Sequence, residues 1–482
     1  MNSPASPASI HPDVAFPSTH VRPPSGWVND PNGPIHWRGR YHLFFQHNPA
    51  AATHGDICWG HASSDDLAHW RIHDVALVPS PGAPDSAGCW SGCVVDDSGV
   101  ATAVYTGVTD HPDDPALSAT ICLAYSDDDE LVSWRKHSSP VAYAPDTLDL
   151  LAFRDPFVFT FEGRRYALVG AGAVSGGRPL VLLYSCQDLR DWTYLGVFLD
   201  GSTTDARGLP PADVWECPQL TRVDGEWVLI VSSWREARLE RVAYAVGDIA
   251  ACGDAVRFLP HSAGLVDAGH DFYAPAALRE ADRTLLWGWS WEEREDSEVA
   301  ARGWAGVLAH PRVLGLRDGL LTTSPAPEVS ALRLDGGQIR AALPAYGARV
   351  ELPRAPVDLE LRLPEAGAEL LTLLLEGSGL ACRVVVHPGE AWVRLDHRAR
   401  NPERVCWPTE SPLPRDWDRR LRLVLDGDLL EVHVSGGASF TERVSIPSDG
   451  RTYLSLKGPV PTHCQLTAWP LDPSAVRAQN RN

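Results

Sequence analysis

The chain has 482 residues, more than the roughly 250 to 300 at which a single core stops growing, so two domains are expected. Its 42 Lys+Arg against 62 Asp+Glu give a formal net charge of −20, with no basic run to offset it. Such a surface repels a phosphate backbone, which excludes nucleic acid as a partner.

Composition is that of a globular protein, and 40 Gly with 40 Pro point to many turns and short strands, hence an all-β fold. The opening residues, 1–19, are rich in Pro, Ser and Ala and read as a flexible tail without a basic n-region or an apolar signal-peptide core. Nowhere do about 18 apolar residues run together, so no membrane span is expected, and the localisation expected is cytoplasmic.

From residue 20 a repeat begins. A turn followed by a β-rich run stands at Gly39, Gly99, Gly163, Gly225 and Asp282, spaced 60, 64, 62 and 57 residues apart. The segment Ser64 to Trp70 is echoed at Ser126 to Trp134 and at Ser185 to Trp192, with weaker copies near Tyr244 and Gly306. Five such units, each holding several short strands, predict a five-bladed β-propeller over residues 20–325. Residues 326–348, opening near Pro325 and Pro327, read as a linker. Alternating strands such as Val357–Leu363 and Leu430–Val434 then predict a C-terminal β-sandwich over 349–474, followed by a short tail, 475–482.

Eight to eleven residues before each turn stands a polar residue in an apolar or aromatic setting: Asp30, Ser91, Asp155, Glu216 and Asp271. Equivalent positions are related by rotation about the axis, so three or four carboxylates are expected to converge in one funnel. Structure alone rarely needs that arrangement. The motifs around them are Trp27-Val28-Asn29-Asp30-Pro31-Asn32-Gly33, Phe153-Arg154-Asp155-Pro156 and Trp215-Glu216-Cys217-Pro218. Taken singly, they could be a turn, a buried ion pair and an edge-strand glutamate.

Together, in this order and at equivalent repeat positions, they resemble glycoside hydrolase family 32, the invertase, inulinase and levanase group. Phe44 to Pro49, Trp59 to Ala62, Trp90-Ser91-Gly92, Tyr105-Thr106-Gly107, Asp271 to Pro275 and Gly303 to Gly306 extend the likeness. The resemblance implies a retaining β-fructofuranosidase acting on the terminal fructosyl bond of sucrose or a related small fructoside. In it Asp30 is the nucleophile, Glu216 the acid/base, and Asp155 with Arg154 the pair that holds fructosyl hydroxyls. Asn29, Gln46, Trp90 and Ser91 match positions lining the fructose subsite, and Tyr273 and Trp289 are placed at its rim. Retaining hydrolysis needs one ionised carboxylate and one protonated carboxyl. Asp30 and Asp155 are expected to raise the pKa of Glu216, and Arg154 to keep Asp155 ionised.

The chain departs from the family pattern at His54, where Trp is frequent, at Gln219, where Asp is common, and at Val28, where Met is frequent. The same intermediate would serve a fructosyltransferase. A five-bladed arabinosidase or xylosidase and a catalytically dead sugar-binding propeller are the other readings weighed. The scattered cysteines read as buried thiols, and the histidines from His42 to His73 lack metal-ligand spacing, so no metal and no cofactor are called for. The oligomeric state is left open.

Overall fold

The computed structural model describes residues 11–110, 118–203, 208–292, 294–345, 348–364, 369–377, 380–397, 409–446, 449–458 and 463–478. Antiparallel strands dominate; Asp296–Arg302 is the only α-helix among these residues. No helix among the described residues is long and apolar enough to cross a membrane.

The turn residues of the repeat are hairpin tips. In Arg38-Gly39, Ser98-Gly99, Glu162-Gly163 and Asp224-Gly225 both residues have positive φ, between 48° and 91°. Hairpins of this kind match the right-handed strand twist, and glycine at the second position makes them cheap. Each joins an inner strand, such as Gly26–Trp37, Gly88–Asp97, Leu150–Phe161 or Val214–Val223, to the next strand outward.

Up to Pro325 the strands form four sheets, of five, four, eight and five strands in chain order, the first completed by a sixth strand from the C-terminus. The eight-stranded sheet consists of two four-stranded runs joined by one pairing, Ala171 with Trp215. The ends of the region meet: Trp304–Ala305 pairs in parallel with Gly26 and Trp27, so the last sheet's flank is stitched to the first inner strand.

The C-terminal strands form two six-stranded sheets around a core that includes Leu359, Leu373, Val386, Leu423, Val432 and Phe440. Three boundaries differ from the sequence reading. Ile339–Pro344, placed in the linker, pairs with His463–Pro470 and extends one of these sheets. Val476–Ala478, placed in the C-terminal tail, pairs in parallel with Trp70–Ile72 of the first sheet. Residues 11–19 are packed, with Asp13 accepting from Arg302 and Trp304 and the Ala15 carbonyl accepting the Asp428 N–H. A composition rich in Pro and Ser signals the lack of a hydrogen-bond ladder, but partners elsewhere in the chain supply these contacts.

Candidate active site

At the same place in every inner strand the ladder skips. Register shifts fall between Val28 and Pro31, Cys89 and Gly92, Glu216 and Gln219, and Tyr273 and Ala276, and the strand carrying Arg154 shifts against its partner at Leu168/Gly170. A bulge bends its strand and re-aims the side chain beside it. Four bulges hold a proline, Pro31, Pro156, Pro218 and Pro275, which has no N–H to offer a ladder and is tolerated where the ladder is already broken. Asp155, Cys217 and Ala274 take φ of 63°, 47° and 45°, left-handed backbone that costs about 1 kcal/mol or more for such residues.

The bulges turn Asp30, Ser91, Asp155 and Glu216 to one point. Asp30 Oδ2 accepts from Ser91 Oγ at 2.6 Å and from Gln46 Nε2 at 3.1 Å, while Oδ1 accepts from Asn29 Nδ2 at 3.2 Å. Gln46 Nε2 also touches Ser91 Oγ, and Trp27 Nε1 fixes Asn29 by donating to its Oδ1 at 2.9 Å. Burial pushes the Asp30 carboxyl up to about 6, helped by the Glu216 charge and opposed by the Ser91 and Asn29 hydrogen bonds.

Asp155 Oδ2 accepts the Cys217 N–H at 3.0 Å, and the Asp155 N–H donates to Thr106 Oγ1 at 2.8 Å. Burial raises its pKa to about 7; Arg154 opposes the rise, and Glu216 and Asp30 add to it. Arg154 thus favours the ionised form of Asp155 as expected, but burial outweighs it. The guanidinium is spent on Glu216, donating to Oε1 from Nη2 at 2.7 Å and from Nε at 3.0 Å. Glu216 Oε2 accepts the Tyr273 hydroxyl at 2.5 Å.

Tyr273 is therefore part of the acid cluster and not of a rim; it is 3% exposed. Trp289, also placed at the rim, is 5% exposed and packs edge-on behind Trp27, with ring centroids 5.9 Å apart. The surface-facing aromatic row is instead Trp27, His54 and Trp90, each meeting the next edge-on at 6.3 and 5.9 Å. Asp271 does not join the acids: its carboxylate accepts the Arg443 N–H at 2.5 Å in the C-terminal sheets.

Sequence reasoning carried Cys217 only as a motif letter. Its thiol lies 3.5 Å from both Asp30 Oδ2 and Asp155 Oδ2, linking the two carboxylates. The signal was the proline after each bulge residue, which marks Cys217 and Ala274 as counterparts of Asp30 and Asp155.

Three carboxylates with one guanidinium, at the convergence of inner strands and beside a half-open aromatic row, make a candidate site of the kind a glycoside hydrolase uses, which works through paired carboxyl groups. The Glycosyl hydrolases family 32 N-terminal domain matches residues 20–325, and the chain belongs to that family. The chain is 36% identical over 469 residues to a raffinose invertase of Escherichia coli, covering 90% of each. It is 32% identical over 443 residues to a sucrose-6-phosphate hydrolase of Zymomonas mobilis, covering 87% of this chain and 84% of that one. A solved Bombyx mori GH32 beta-fructofuranosidase superposes with a TM-score of 0.80 at 28% identity, over 96% of this chain and 95% of that one.

Proposed function

We propose that the protein is a retaining β-fructofuranosidase that cleaves the terminal fructosyl bond of sucrose or a related small fructoside by double displacement. The observation that carries this reading is the unequal treatment of Asp30 and Glu216 at one funnel floor. Asp30 is held by the neutral donors Ser91, Gln46 and Asn29, with no cation bonded to it among the described residues. Glu216 is gripped by Arg154 and Tyr273, which fix the direction of both its oxygens.

In the first step Asp30 attacks the anomeric carbon of the fructosyl unit, forming an ester as the bond to the leaving oxygen breaks, and Glu216 gives that oxygen its proton. In the second, Glu216 takes a proton from water, whose oxygen attacks the same carbon and frees Asp30. Asp155, Asn29 and Gln46 are placed to hold fructosyl hydroxyls, and Trp90 and Trp27 to cover the sugar's apolar faces. Burial holds the Asp30 and Asp155 carboxyls up at about 6 and 7, so the cluster retains a proton near neutrality. Catalysis requires that proton on Glu216 when the substrate is bound.

The relatives named for raffinose and for sucrose 6-phosphate support a sucrose-type substrate with a variable leaving group. The fold reading that accompanies this function counts the eight-stranded sheet as two blades, making a five-bladed propeller over 20–325 followed by a β-sandwich. The test follows fructose released from sucrose by NMR before mutarotation, together with mass spectrometry of acid-quenched enzyme. Retained configuration and a fructosyl mass on the Asp30 peptide are expected. Initial release of the opposite anomer overturns double displacement, and transfer to sucrose in place of water at low sucrose makes the protein a fructosyltransferase.

A further inference from the structure

Beside Asp155 lies a small, partly open void of about 10 Å³, to which Pro31, Ser91, Asp155, Cys217 and Pro275 each contribute from a different inner strand. That volume is at the lower limit for one water molecule, and a water is held in such a place only where polar groups receive it. Two do. Asn32, fully buried, lines the void; its Oδ1 accepts the Gly92 N–H at 3.3 Å, which fixes the amide's orientation and leaves Nδ2 without a partner among the described residues. Asp155 engages Cys217 through Oδ2 only, so Oδ1 has no protein partner among the described residues.

A buried orphan donor and an accessible, unengaged carboxylate oxygen beside one small void suit a ligand that both accepts and donates. A halide cannot donate, a cation cannot accept from the amide, and larger molecules do not fit. We propose that one water molecule is bound in this void, accepting from Asn32 Nδ2 and donating to Asp155 Oδ1, and that Asn32 is thereby a positioning residue for Asp155. Gly92 and Gln219 line both this void and the cavity of about 650 Å³ that opens beyond it, among Ile35, Trp37 and Glu280, which gives the water a route of exchange away from the substrate.

The water donates to Asp155 and so favours its ionised form, against the Asp30 and Glu216 charges and alongside Arg154; Cys217 and Tyr273 are the other titratable groups of the cluster. The inference rests on the reading of Asp155 as a substrate-holding carboxylate. A high-resolution crystal structure of the wild-type enzyme is expected to show a water within hydrogen-bond reach of Asn32 Nδ2 and Asp155 Oδ1; an empty void, or a direct bond between the two side chains, overturns the proposal. Asn32→Leu, similar in size but without a donor, is expected to move the acidic limb of the kcat/KM profile on sucrose upward by about half a pH unit or more, the scale of one charge-assisted hydrogen bond. A folded variant with an unmoved limb also overturns it. If the variant does not fold, the crystallographic result decides. Failure of the wild type to release fructose from sucrose would instead sink the fructosidase reading, and leave the water site to be judged from the electron density.

Discussion

At the junction between the N-terminal sheets and the C-terminal pair, Asp426 accepts from Ser18 N, Thr19 N, Thr19 Oγ1 and His20 Nδ1 at 2.7 to 2.8 Å. At the funnel floor, Asp155 has one backbone N–H and a thiol. Burial pushes both carboxyls upward. At Asp426 the His20 hydrogen bond and charge overcome it, so that the pKa falls below the usual range; at Asp155 the single cation is shared, and the pKa climbs to about 7. Glu431 repeats the junction pattern, with burial outweighed by His20, His310 and Arg312, which bonds it at 2.8 Å. Burial therefore does not tell a structural acid from a chemical one. The supply of donors and counter-charge does, and the funnel is under-supplied in the way that acid/base chemistry needs.

The sharpest way to test this contrast is to remove a carboxylate from each region. Asp30→Asn should lower kcat on sucrose by about 10⁴-fold or more, as loss of a nucleophile does, while the melting temperature holds or rises. Steady-state kinetics and thermal denaturation of the same preparation check both halves, and a variant that unfolds would place Asp30 with the structural acids. Glu431→Gln should do the reverse. It leaves Arg312 and His20 facing a neutral amide and should cost about 3 to 5 kcal/mol by chemical denaturation, with kcat per folded molecule unchanged.

A smaller effect follows from pH. His20 lies between Asp426 and Glu431 at 2.8 and 3.0 Å, and although burial opposes its charge, these partners raise it to about 9. A histidine raised above its unfolded value of about 6.5 contributes stability that is fully present below that pH and is lost as pH rises through about 9, at about 1.4 kcal/mol for each pH step of one. Denaturation midpoints between pH 6 and 10 should fall over that window, and His20→Gln should flatten the fall. His20, His310 and Glu431 also lie close enough to resemble a metal trio, but His20 Nε2 already bonds Glu431 at 3.0 Å and His310 Nε2 bonds Thr19 Oγ1 at 3.3 Å.

The all-β character and the acid cluster were legible in the sequence because both follow from local rules repeated at a fixed spacing. A Gly at four of the five turns and an X-Pro pair in four of the five inner strands, with an acid in or beside it in three, leave a pattern that needs no tertiary information. The partners of the acids were less legible. Arg154 adjoins Asp155 in sequence, yet a bulge sends neighbouring side chains apart, and the guanidinium reaches Glu216 on the next inner strand. Asp271 shares the repeat position, but the C-terminal sheets present the Arg443 N–H to it, and no repeat could announce that contact. Likewise Trp289 and Tyr273 read alike as aromatics of a funnel, and only packing separates a ring buried behind Trp27 from a hydroxyl on Glu216.

The finest test concerns stability stored against function. Asp155 has a pKa of about 7 in the folded chain against an ordinary 3.8 for an aspartate in water, so the native state holds its proton more tightly than the unfolded one. The sign is opposite to that at the junction: the cost is absent below the unfolded pKa, grows as pH rises from about 4, and is complete above about 7. Asp155→Asn removes the charge and keeps an oxygen for the Cys217 N–H at 3.0 Å, and Asn tolerates the φ of 63° better than most residues. The variant should lose most activity, yet be more stable than the wild type by about 1 to 2 kcal/mol at pH 8, the usual return for relieving a strained functional site. That gain should shrink at pH 6 and be nearly gone near pH 4, where the folded wild-type carboxyl is protonated and the unfolded one about half so. Asp426→Asn, at the junction, should be destabilised at pH 8. Urea midpoints of both variants and the wild type at the three pH values measure this, and a loss of stability in both at pH 8 would erase the distinction between the two sets of buried acids.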